Sequence, residues 1–112
     1  MDLYWTLDIA KFDKETLPDF LAAHQMAHDS VYTTLLSQGV SPTHFPLGDL
    51  DEKYWNDWLY IHAMEHSSFS AITGIPVGFD IARMDPHNPE DVSLWITNHT
   101  FLHQLYNQQL GI

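Results

Sequence analysis

The chain of 112 residues contains no cysteine. Disulfides, thiolate metal sites and cysteine nucleophiles are therefore excluded. Positive charge is scarce as well: four Lys and Arg stand against fifteen Asp and Glu, a formal net charge of −11 at pH 7 with histidine neutral. So acidic a surface repels phosphate backbones and argues against nucleic acid as a partner. It suits solubility, docking on a basic neighbour or attraction of metal cations. Long apolar runs are also missing, and none approaches the roughly 18 residues that a bilayer-crossing helix needs, so no membrane partner is expected. The opening "MDLYWTLDIA" has neither a basic region nor an apolar core and does not read as a signal peptide. There is no G-x-S-x-G elbow, phosphate-cradling glycine loop or H-E-x-x-H motif. The sequence therefore points away from an enzyme and offers no catalytic residue.

What the chain has in plenty is histidine, eight in all. Six of them fall into three copies of one pattern: "FLAAHQMAHDSVY" from Phe20, "WLYIHAMEHSSF" from Trp58 and "WITNHTFLHQLY" from Trp95. The first histidines, His24, His62 and His99, are 38 and 37 residues apart. Phe20, Trp58 and Trp95 each stand four residues earlier, and Phe69 and Tyr106 occupy matching places later in the second and third copies. Gly74 and Gly111 close those copies, each followed by isoleucine, and Gly39–Val40 closes the first. The lead-in "DIAKFD" at 8–13 matches "DIARMD" at 80–85. Such periodicity marks one unit used three times.

Each unit reads as a capped helix. Asn88 suits an N-cap, Pro89 the first helical position, Glu90 and Asp91 the positive end of the dipole, and Gly111 the carboxyl-terminal stop. The same signals predict helices over Thr16–Ser37, Asp51–Thr73 and Pro89–Leu110. The intervening "GVSPTHFPLGD" and "GIPVGFDIARMDPHN" are loops, while "YWTLDIA" and "GFDIARM" read as short strands or extended arms. The expected fold is all-α: a single domain over residues 1–112, a three-helix bundle of repeated units with Pro- and Gly-rich connectors. A larger bundle shared between subunits is the rival.

On a helix, residues four apart share a face. The paired histidines then lie on or beside the core-facing stripe, between aromatic and aliphatic neighbours. Two readings follow. In the favoured one the imidazoles are satisfied by nearby hydroxyls and carbonyls (Ser67, Ser70, Thr97, Thr100, Thr33, with Asp29) or by one another, and no cofactor is needed. In the other, His24, His28, His62, His66, His99 and His103 are candidate ligands for zinc or another imidazole-preferring divalent metal. Antiparallel neighbours would group them as His24, His66 and His99 in one layer and His28, His62 and His103 in the next. Glu65 or Asp29 would support the ligands or join them. Glu65 itself, next to His66, points to another face than the stripe. His44 and His87 sit beside Pro42 and Pro86 and read as solvated loop residues, and Tyr4 with Trp5 as an aromatic cap on the bundle.

The run from lead-in through Trp and His-x3-His to Gly-Ile stands here as "DIARMDPHNPEDVSLWITNHTFLHQLYNQQLGI" and "DLDEKYWNDWLYIHAMEHSSFSAITGI". It resembles small acidic proteins encoded among the virion structural genes of tailed bacteriophages. The resemblance covers the second and third units and the first more loosely. It implies a virion component made in the host cytoplasm, such as a neck, connector, tail-accessory or capsid-decorating protein. Its partners would be other virion proteins in a symmetric multi-copy assembly. It carries over no catalytic residue.

Overall fold

The computed structural model describes residues 17–44 and 54–112, with side chains from Phe20 onward in the first segment. Among the described residues there are three helices: α1 (Leu17–Ser37), α2 (Trp55–Thr73) and α3 (Pro89–Leu110). The bundle is all-α, as the repeat predicts, and α3 has the predicted bounds. The predicted starts at Thr16 and Asp51, the arm "YWTLDIA" and the Tyr4–Trp5 pair lie outside the described residues. "GFDIARM" is neither strand nor helix; it holds a bend at Phe79 and a turn at Ile81–Ala82. No described helix is long and apolar enough to cross a membrane.

Local chemistry sets the helix ends. The Asn88 side chain accepts hydrogen bonds from the backbone N–H groups of Glu90 and Asp91, and Pro89 follows at a position that needs no donor. Gly39 adopts φ +82°, a left-handed conformation that favours glycine. Past it, the Val40 amide donates to the Leu35 carbonyl and the Gly39 amide to that of Leu36. This paired closure uses a hydrophobic residue after the glycine, so the recurring Gly-Val and Gly-Ile dipeptides are helix stops. At the last one, the Ile112 amide donates to Asn107 O.

All three helices run in the same direction, against the antiparallel arrangement considered from sequence. Gln109, near the end of α3, donates to the carbonyl of Thr73 at the end of α2. Trp55 and Trp95, near the starts of α2 and α3, donate through Nε1 to the carbonyls of Met84 and Ile81 in the connector. The connector therefore climbs the full height of the bundle between Ile75 and Asn88. Its Ile81 and Met84 are buried beside the tryptophans they receive. The described start of the first connector turns back along the bundle, since the Thr43 amide donates to Ser68 Oγ, more than a turn before the end of α2.

Parallel helices bring equivalent positions of the repeat to one level. Phe20, Trp58 and Trp95 form the upper layer, followed by His24, His62 and His99, then His28, His66 and His103, then Val31, Phe69 and Tyr106. All of these are buried. The contacts confirm the order: Trp58 packs on His24 and Trp95 on His62 above the first histidine layer. Phe69 meets His28, and Tyr106 meets His66, below the second.

Candidate metal centre

Six histidine side chains occupy the middle of this core, each no more than 2% exposed. Each helix supplies two, one turn apart, and the three helices point them at the bundle axis. The rings turn their Nε2 atoms toward one another. His62 Nε2 lies 2.9 Å from His24 Nε2, 3.2 Å from His28, 3.1 Å from His66 and 3.0 Å from His99. His66 Nε2 lies 3.2 Å from His28, 3.1 Å from His99 and 3.2 Å from His103. His24 and His99 are 3.3 Å apart. Two overlapping groups, His24, His28, His62 and His99, and His28, His66, His99 and His103, each hold their ligand atoms within 4.8 Å of one another.

The sequence-predicted ligands are therefore brought together, but in different layers from those expected. His24, His62 and His99 share one layer, and His28, His66 and His103 the other. Parallel helix direction is the cause: with all three chains descending, the first histidine of each pair reaches the same level.

The layer above fixes the ring planes. Phe20 stacks on His24 with centroids 5.5 Å apart, Trp58 on His62 at 4.9 Å and Trp95 on His99 at 4.7 Å. The aromatic residue four before each first histidine is thus a lid over its imidazole, one turn up the same helix.

Two of the outward-facing Nδ1 atoms are held as well, while that of His62 is buried without a hydrogen-bond partner. His28 Nδ1 donates to Glu65 Oε1 at 2.7 Å, with both side chains wholly buried. His66 Nδ1 is 3.3 Å from the Tyr106 hydroxyl, which in turn lies 2.6 Å from Ser70 Oγ. Glu65 leaves the histidine stripe, as its place in the sequence requires, yet turns into α1 rather than into solvent. His44 departs from the expectation of a solvated loop residue. It stacks on Tyr32 at 4.1 Å and sets Nε2 3.1 Å from Asp29 Oδ1 and Nδ1 3.2 Å from Glu65 Oε1. Nothing in its loop sequence marked this role. His87 is exposed, as expected.

The hydroxyl partners expected for the histidines mostly face elsewhere. Ser67 and Thr97 are exposed, Thr33 donates to the Ser30 carbonyl, and Ser70 meets Tyr106.

Hydrogen bonding among the rings cannot account for their convergence. A neutral imidazole has one N–H and one bare nitrogen. His28 commits its proton at Nδ1 to Glu65, so its Nε2 is a lone pair, 3.2 Å from both His62 and His66. His62 Nε2 can share a proton with at most one of its four neighbours. The remaining contacts set lone pair against lone pair. Adding protons is no remedy, because burial, and then mutual repulsion, holds His24, His62, His66, His99 and His103 well below 6.5. Burial lowers His28 too, with Glu65 opposing the shift. Buried nitrogen donors gathered this closely could hold a borderline-soft metal ion.

The chain matches no family model, and neither a curated protein nor a solved structure proves similar to it.

Proposed function

We propose that this protein is a metal-binding bundle in which His24, His28, His62, His66, His99 and His103 hold a divalent transition-metal ion on the axis of the three helices. The convergence of their buried Nε2 atoms at 2.9–3.3 Å carries the reading. A cation turns six mutually repelling lone pairs into ligands. It also explains why the Nδ1 atoms of His28 and His66 face Glu65 and Tyr106, since metal-bound imidazoles characteristically donate their second N–H to a carboxylate or other oxygen. The ion's part is structural: it ties helices whose axes are held apart by imidazole rings, and its binding free energy becomes folding free energy. No catalytic role is assigned.

Elemental mass spectrometry on protein purified without a histidine tag tests the proposal, beside thermal melts with and without chelator. Bound metal at a fixed stoichiometry, with a melt lowered by chelator, is expected. A metal-free protein whose melt ignores both chelator and added ions would overturn it.

A second reading, docking on virion neighbours as the resemblance implies, would use the apolar groove between α3 and the connector. Pro76, Val77, Phe79, Phe101 and Leu105 line it. A strictly monomeric protein absent from purified particles would sink that reading.

A further inference from the structure

We infer that the centre takes one ion in octahedral coordination by six imidazoles, which leaves no position for water or substrate. This rests on the metal reading above and narrows it to a class of ion.

The contact pattern among the rings supplies the argument. In an octahedron each donor has four neighbours along edges and one donor opposite. His62 Nε2 has its four close neighbours in His24, His28, His66 and His99, which leaves His103 opposite. His66 has His28, His62, His99 and His103, which leaves His24 opposite. His28 and His99 must then form the third opposite pair. Their ring centroids are 5.8 Å apart. Pairs assigned to edges are closer: 4.3 Å for His24–His28, 4.7 Å for His28–His66, 4.8 Å for His28–His103 and 4.9 Å for His66–His99. Among the Nε2 contacts of 2.9–3.3 Å, none joins an opposite pair.

The size fits as well. An octahedron's centre-to-corner distance is its edge divided by √2, so these edges place an ion about 2.1–2.3 Å from each nitrogen, in the range of metal–imidazole bonds (about 2.0–2.1 Å for zinc). The parallel bundle explains the shape. One triangular face is His24, His62 and His99, the other is His28, His66 and His103, and each opposite pair joins the first histidine of one helix to the second of another.

Tetrahedral alternatives fail on the same contacts. Each four-histidine group contains both His28 and His99, the opposite pair, so neither group marks the corners of a tetrahedron. Nor can both groups be filled, because each shared Nε2 has one lone pair. Zinc favours four ligands in structural sites. Six nitrogen donors suit Fe(II), Co(II) or Ni(II), with affinity rising in that order.

Cobalt is the probe. The tagless chain is stripped with chelator and titrated with Co(II), and it is also produced in cobalt-supplemented medium in case the stripped form refolds poorly. One equivalent with the weak visible bands of six-coordinate Co(II), and an X-ray absorption first shell of six nitrogens, is expected. Azide should leave the spectrum unchanged, but should alter that of His103→Ala, where a corner has opened. Intense tetrahedral bands, two equivalents, or an azide response in the unaltered protein would overturn the octahedral assignment while leaving metal binding intact. Failure of Co(II), Ni(II), Fe(II) and Zn(II) to bind at all would remove both.

Discussion

His28 Nδ1 and Glu65 Oε1 meet at 2.7 Å across α1 and α2, with neither side chain exposed. The bond fixes the His28 proton on Nδ1 and aims its bare nitrogen at the axis. It also puts a negative charge beside the proposed cation, where an unpaired carboxylate in a dry core would be costly. Glu65→Gln keeps a hydrogen-bond acceptor and removes the charge. We expect metal affinity to drop about 10–100-fold, the usual effect of losing an outer partner of a ligand histidine. Competition against a chelator of known affinity measures it. Unchanged affinity would separate Glu65 from the centre.

How far the sequence foretold this arrangement varies with the kind of information involved. Helix ends follow from residues within a turn of them, so Asn88, Pro89 and Gly111 sufficed to place α3. Burial of the six histidines follows from period, because Trp58, His62, His66 and Phe69 lie on one stripe. Helix direction does not. It depends on whether a connector climbs back along the bundle, which bonds such as Thr43 to Ser68 and Trp95 to Ile81 decide across 25 and 14 residues. The layers therefore came out differently from the antiparallel expectation. His44 was opaque for the same reason, since both of its acidic partners come from helices and not from its own loop.

Tyr106 closes the His66 side. Burial pushes its hydroxyl up to about 12, so it is neutral across the working range. It stands ready to accept from His66 Nδ1 and to share a proton with Ser70. Tyr106→Phe keeps the ring that packs against Phe69 and removes that oxygen. Stability should fall by about 1–3 kcal/mol, the cost of leaving buried polar groups unmatched. Metal affinity should fall with it. A lowered melt with unaltered affinity would make Tyr106 a packing residue alone.

The tryptophan lid should matter through packing. Trp95 is 3% exposed, stacks on His99 at 4.7 Å and donates to the Ile81 carbonyl at 3.0 Å. Trp95→Ala would open a cavity above the first histidine layer and release the connector, at a cost of about 3–5 kcal/mol. Trp95→Phe retains a stacking ring and should lose less. Denaturant unfolding of both variants in the metal-loaded state checks the order. Equal losses would mean that the hydrogen bond to the connector, and not the stacked ring, carries the contribution.

Acid should dismantle the core steeply. Burial, reinforced by neighbouring imidazoles, holds five of the ring histidines well below 6.5, and His28 is lowered as well. Once unfolded, the same side chains titrate near 6.5. Below that pH the unfolded chain takes up protons that the folded chain refuses, so stability is complete above about 6.5 and declines as pH falls. Each such histidine contributes about 1.4 kcal/mol per pH unit until its folded value is reached. Bound metal keeps the same sign, because protons and the ion compete for the same nitrogen lone pairs. Denaturant unfolding at pH 7.5, 6.5 and 5.5, with metal content followed in parallel, should show both quantities collapsing over the lower interval. Stability that stays level to pH 5.5 would mean that the six imidazoles are not held neutral in the core, and the reading of them as convergent ligands would go with it.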